Sequence, residues 1–539
     1  MRPKDHSFLE LTALTVVSLL PRLAGTLWLP NAFGDAYAYT EQIYYMRRAL
    51  LAGTFSLANL FGFWLPLYQL ICAGLSALVG SPFYVPKVIS ALTGAGVCLL
   101  VFLLTLDLTA NRFWSFVCFA LVAVNPYHVL YSSSALTDVP HAFVVLLCAY
   151  CCIRDRWLLA ALCGLVAGLI RIESWTLVTL IPLLQVMRAR RISPVACMVL
   201  LFGPIFWFYV SWKAGGSPWR YFEIRNDYIV ETLTASPWLA SFAPWRVAWD
   251  LLRLLYTSNP LVLLACLGSL AFGLRRCRCG HLIVLEASSP ARPSGPKLRT
   301  RERKTAEVVG QVLANPKIRA ATILLTFFLA NLAFLLLAYF TRNQPEIWPR
   351  YGLIFLVLGL PLLAGYQLRH KTNGPSPYRS RSNQWRRAHS IFATLFALQF
   401  CIQLIDVTRL TVKSDPNLTV ANFLEEQHFA DRSIRFYCED GAIRVLSGVP
   451  LEEFKDQYNS PPDRQSFLRS LRENQIRMLV YKELPGSRLG EIIQQIRSTR
   501  SSGITLEEVT ARPRQKSGET IVLYRVHYSE VATKTGDHR

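Results

Sequence analysis

The chain has 539 residues, is 52% hydrophobic and only 17% charged, and carries a formal net charge of +22. Its charges sit in short blocks between long apolar runs, a bilayer pattern that excludes an ordinary soluble globule. From residue 411 onward 19 Lys and Arg face 18 Asp and Glu, so the basic excess belongs to the apolar part, and this argues against a nucleic-acid partner, which would need it on one soluble face.

The opening run "MRPKDHSFLELTALTVVSLLPRLAG" has a basic start but no small-x-small cleavage site, and it reads as an uncleaved first span, 8 to 29. Further spans are expected at 84 to 108, 113 to 131, 139 to 153, 157 to 171, 174 to 187, 195 to 212, 259 to 274, 320 to 340, 351 to 366 and 390 to 410. Most approach the roughly 20 residues that cross about 30 Å of hydrocarbon, which makes a polytopic α-helical membrane protein of about 11 transmembrane helices.

Basic residues cluster between these runs: 11 Lys and Arg from Arg275 to Arg319, 6 from Arg369 to Arg387, and "RARR" at 188 to 191. By the positive-inside rule the loops 275–319 and 367–389 are cytoplasmic, and an internal N-terminus puts every basic loop inside. The apolar run 65–80 would reverse that parity if it crossed, so it is expected to lie in the interface. The first loop, 30–83, and the tail then face outward from a multi-pass plasma (inner) membrane.

Residues 1–410 therefore form a membrane domain and 411–539 a small extracytoplasmic α/β domain. In the tail, "SIRFYC", "RMLVYK" and "ETIVLYRV" read as strands, while "DRQSFLRSLRENQ" and "SRLGEIIQQIRS" read as helices. Of 13 cysteines only Cys438 lies there. "CRCGH" (Cys277, Cys279, His281) lacks the second Cys/His pair of a metal site and reads as a cytoplasmic loop. No internal repeat is visible, which counts against a secondary transporter.

Ionisable groups at the outer edge of a membrane are functional candidates by default. Asp35, in "PNAFGDAYAYTEQIYYMRR", opens an amphipathic helix just after the first span; it reads as that helix's cap, as a functional carboxylate, or as both at once. Asp138 in "YSSSALTDVPHAF" stands at the outer start of another span, with the same two readings. Arg171 and Glu173 ("GLIRIESW") mark an external turn, and Arg350 with Tyr351 ("EIWPRYGLIF") marks a third. A guanidinium outside runs against the positive-inside bias and is suited to gripping a phosphate through two parallel hydrogen bonds, although Arg350 beside Trp348 and Tyr351 also reads as an interfacial anchor. The aromatic loop from Lys213 to Tyr256 is suited either to stacking on sugar faces or to an interfacial belt.

The order of these features resembles the GT-C glycosyltransferases: external "GDAY" in a long first loop, interfacial "LPLY", "TDVP", "RIES", and a late "PRYGLIFLVLGLPLLAGY". The likeness covers about residues 8 to 410 and is greatest to the branch near protein O-mannosyltransferases and the lipid A aminoarabinose transferase. Where relatives usually have "PP" before the interfacial helix, this chain has Trp64 and Leu65 ahead of Pro66, and the WWDYG signature of oligosaccharyltransferases is missing.

The resemblance implies a polyprenyl-phosphate-linked sugar as donor and a hydroxyl or amine of a lipid, glycan or protein as acceptor. It makes Asp35 the general base and Arg350, helped by Arg171, the grip on the donor phosphate. Asp138 would orient a substrate or pair with one of these arginines. No cofactor is certain and a divalent metal is left open, since some relatives use one. A glycan polymerase or ligase acting on lipid-linked sugars, a membrane transporter and a non-catalytic scaffold are the rival readings.

Overall fold

The computed structural model describes residues 8–189, 191–235, 244–258, 315–342, 347–372, 397–412, 415–455, 463–483, 488–498, 503–513 and 520–529, with 344 and 394. The chain divides into two compact units, Met1–Leu29 with Ile43–Arg409 and Pro30–Gln42 with Leu410–Arg539.

The first unit is helical. In chain order its helices are α1 Phe8–Trp28, α2 Gly34–Leu51 (whose first turns belong to the second unit), α3 Leu57–Leu60, α4 Leu67–Val79, α5 Tyr84–Thr109, α6 Arg112–Ala123, α7 Pro126–Ser132, α8 Asp138–Ile153 and α9 Trp157–Ile170. Then follow α10 Leu177–Ala189, α11 Pro194–Gly215, α12 Arg220–Ala235, α13 Pro244–Ser258, α14 Pro316–Phe340, α15 Gly352–Thr372 and α16 Ala397–Thr408.

Helix α5 is the hub, packing against α1, α6, α8 and α15. Its small residues Ser90, Ala91, Gly94 and Ala95 are buried and let neighbouring backbones close in. At Gly94 a Cβ would stand 2.5 Å from Cβ of Ser132 and 2.9 Å from Nε of Arg22, so only glycine fits the crossing.

The single span expected at 113–131 is in fact two helices, α6 and α7, bent by 62°. Pro126 has no N–H for a continuing ladder and instead starts α7 at its first position, while the Asn125 side chain accepts from the His128 N–H at 2.9 Å. Buried Arg22 of α1 caps the end of α6, donating to Ala123 O at 3.2 Å and to Val122 O at 3.3 Å, the latter also accepting the Asn125 N–H. The same guanidinium donates to the Ser18 carbonyl and to His128 Nδ1. Lys87 of α5 is likewise buried and donates to Leu29 O at 2.9 Å.

Among the described residues four helices are long and apolar enough to cross a membrane, α1, α5, α11 and α14, and the bent pair makes a fifth if it is one span. Shorter apolar helices are α4, α8, α9, the Gly352–Gly365 part of α15, and α16. At 1.5 Å per residue the 16-residue α8 is about 24 Å long, short of a full bilayer core. The span expected at 174–187 begins instead with a 3₁₀ turn, Ile172–Thr176, before α10. The expected span 259–274 and the loop bearing Cys277, Cys279 and His281 lie outside the described residues.

The second unit carries a four-stranded sheet of order β1-β2-β4-β3: β1 Arg435–Cys438, β2 Ile476–Glu483, β3 Ile504–Pro513 and β4 Thr520–Tyr528. Strand β1 runs parallel to β2, and β4 is antiparallel to both β2 and β3. Its helices are α17 Pro416–Ala430, α18 Gly441–Leu446, α19 Arg464–Glu473 and α20 Arg488–Ser498. One face of the sheet buries Tyr437, Leu479 and Tyr524 against Phe467 and Leu471 of α19 and Ile493 of α20. Strand β3, absent from the sequence reading, is an edge strand bearing Glu507 and Glu508, charges that keep an edge from pairing with other chains but also mask its alternation.

Candidate functional site

Two helix starts and one helix stop of the first unit bring ionisable residues together. Asp138 is the first residue of α8; Thr137, not Asp138, holds the N-cap position. Helix α9 ends where Arg171 turns extended (φ −144°, ψ 139°), and the 3₁₀ turn that follows carries Glu173. A second 3₁₀ turn, Pro349–Tyr351, delivers Arg350 and Tyr351 immediately before α15.

Arg171 holds two carboxylates at once, with Nη1 2.9 Å from Asp138 Oδ1 and Nη2 2.8 Å from Glu173 Oε1. Asp138 is shared: the Nε of Arg350 stands 3.9 Å from the same Oδ1, an ion-pair distance beyond hydrogen-bond reach. The buried Oδ2 of Asp138 has no hydrogen-bond partner among the described residues. Both guanidiniums lie over the Tyr351 ring, Arg171 at 5.4 Å and Arg350 at 5.7 Å from its centroid. Burial alone would raise the carboxyl of Glu173, but the Arg171 guanidinium outweighs it and holds the group down at about 2. His141, one turn into α8, is hydrogen-bonded through Nε2 to Ser174 Oγ at 2.7 Å.

Asp138, His141, Arg171, Glu173, Arg350 and Tyr351 line a small pocket of about 50 Å³. Glu173 and Tyr351 also line its neighbour, a cavity of about 430 Å³ walled by Phe222, Arg225 and Asn226 of α12 and by Leu335 and Leu337 of α14. That volume is in the usual range for a small-molecule site. Arg225 donates to Tyr221 OH at 3.1 Å and lies over the rings of Phe63 and Tyr221.

Five of the sequence candidates, Asp138, Arg171, Glu173, Arg350 and Tyr351, thus form one cluster. Asp35 belongs to the second unit, where it occupies the first turn of α2, half-buried and inside the helix. Of the aromatic loop, Phe222 lines the cavity and Tyr221 is buried, but Trp219, Trp245 and Trp249 are exposed. Sequence reasoning missed Arg225 and His141. Arg225 stands among Glu223 and Asp227 on a polar helix, and His141 follows a proline in an otherwise apolar run, so neither carries a local signal.

Among the described residues no group of three His, Cys, Asp or Glu side chains comes together for a metal.

No family model and no curated protein matches the chain. Its fold matches the crystal structure of ArnT from Cupriavidus metallidurans bound to undecaprenyl phosphate, with a TM-score of 0.55 and 14% sequence identity. The match covers 96% of this chain and 97% of that one, so the two share a fold along nearly their whole lengths.

Proposed function

We propose that the chain is an integral membrane glycosyltransferase that moves a sugar from a polyprenyl-phosphate donor to an acceptor hydroxyl or amine on the extracytoplasmic face. One observation carries this reading: a buried arginine cluster beside a 430 Å³ cavity, in a fold shared with a protein crystallised with undecaprenyl phosphate.

In the proposed reaction the acceptor oxygen or nitrogen bonds to the anomeric carbon as the bond from that carbon to the donor's phosphate oxygen breaks. Negative charge gathers on the departing polyprenyl phosphate, and a fixed guanidinium in a water-poor site stabilises it. Arg350 is suited to that role, because it lines the same pocket as Asp138 and Arg171, and Arg171 is already committed to two carboxylates at 2.8 and 2.9 Å. Asp138 serves as the anchor of both arginines, the part of its expected roles that its contacts support. Asp35 takes the acceptor's proton as general base, a contribution of about 10² to 10⁴-fold.

Asp35→Asn tests this, because asparagine is nearly isosteric and as good near a helix start but cannot take up a proton. Purified protein supplied with polyprenyl-phosphate sugars and candidate acceptors should lose transfer by about 10²-fold or more. Donor binding and melting temperature should stay as in the wild type. Transfer by the variant at the wild-type rate would rule out Asp35 as the base.

A further inference from the structure

The second unit is built from two stretches far apart in sequence, and the contacts that join them are of a specific kind. Glu41 of α2 and Arg444 of α18 are 2% and 3% exposed and form a two-pronged ion pair, Nε to Oε1 at 2.8 Å and Nη2 to Oε2 at 2.7 Å. The remaining nitrogen of Arg444 donates to the Cys438 carbonyl at 2.5 Å, which ties the pair to the end of β1. One helical turn earlier, Tyr37 OH donates to Asp415 Oδ2 at 3.3 Å. Asp415 is itself fixed, as the N-cap of α17, by the Asn417 N–H at 2.9 Å. Burial and then Asp415 push the Tyr37 phenol up, so it stays a donor.

Tyr37 and Glu41 are four residues apart and share one face of α2, while Asp35, two residues before Tyr37, lies about 200° around the helix. Both of these contacts therefore lie on the face of α2 turned away from Asp35. An apolar pair of similar volume would join the same surfaces without desolvating two charges; a buried fork-to-fork pair adds fixed distance and angle.

We infer that the C-terminal unit is a positioning device for Asp35, setting the first turns of α2 through the Glu41–Arg444 and Tyr37–Asp415 contacts, with Glu41 and Arg444 as positioning residues. The inference rests on Asp35 being the general base. It gives the soluble unit a part in the reaction without a group that touches substrate.

The test compares full-length wild type, R444Q, E41L/R444L and the charge swap E41R/R444E in lipid nanodiscs. Hydrogen exchange at amides 30–42 should rise about tenfold or more in R444Q and E41L/R444L, with α5 exchange unchanged. In both variants kcat for transfer from a polyprenyl-phosphate sugar should fall about 10²-fold, the scale of a misplacement near 1 Å, while binding of undecaprenyl phosphate stays at wild-type level. The charge swap should recover part of both. E41L/R444L with wild-type kcat would overturn the inference, as would faster exchange in α5, which would make the pair a general brace. Full transfer by Asp35→Asn would instead overturn the reading of the base and leave the exchange result standing.

Discussion

Arg171 and Arg350 sit over one tyrosine ring and face one carboxylate, yet they are held differently. Arg171 spends its fork on Asp138 and Glu173, and its removal would take from Glu173 the cation that holds it and leave Asp138 with Arg350 at 3.9 Å. Arg350 reaches Asp138 at 3.9 Å, an ion-pair distance rather than a hydrogen bond. Arg350→Lys should accordingly keep the fold but weaken binding of undecaprenyl phosphate by about tenfold, because an ammonium is a point charge and loses the planar, two-bond match to phosphate. Titration of the purified variant with undecaprenyl phosphate checks this, and equal affinity would return Arg350 to an interfacial anchor. These groups stood out in the sequence because ionisable residues in apolar surroundings are rare. A pairing of Asp138 with one of these arginines was among its expected roles, but that both arginines face it was not legible, since they lie 33 and 212 residues away.

At the level of elements the instructive place is the joint between α6 and α7. The run 113–131 is apolar throughout and reads as one span, but Asn125 and Pro126 act as cap and first residue of a new helix. A break inside an apolar interior leaves carbonyls that no water can satisfy, and Arg22 of a different helix donates to two of them at the end of α6. Arg22→Leu should therefore lower stability by about 1 to 3 kcal/mol, because the buried Ala123 carbonyl loses its donor while Val122 O keeps the Asn125 N–H. Thermal unfolding in detergent would show this as a fall of several degrees, and an unchanged midpoint would mean that water or another side chain takes over. Helices with strong apolar character were legible, as α1, α5 and α14 show within a few residues of their expected bounds. The bend, the 3₁₀ turn at Ile172–Thr176 and the edge strand β3 were not, because the Asn125–Pro126 and Arg171–Thr176 breaks are short signals inside long apolar runs and Glu507 and Glu508 mask the alternation of β3.

At the scale of the whole molecule, orientation follows from charge rather than from shape. We propose that the basic loops 275–319 and 367–389 mark the cytoplasmic side, and counting the expected spans outward then puts residues 411–539 on the external one. A reporter active only outside the cytoplasm, fused after residue 539, should therefore be active, and activity of a cytoplasm-only reporter there would overturn the topology. The same unit has a consequence for biosynthesis. Glu41 emerges from the ribosome 403 residues before Arg444. At about 5 to 20 residues per second that is a delay of roughly 20 to 80 s. Through that interval the membrane helices are being threaded while the segment bearing Asp35 has no C-terminal partner to close on. Maturation of the proposed base thus waits on the last quarter of translation, so that a nascent chain stalled within the membrane part carries its arginine cluster but not yet the ordered carboxylate.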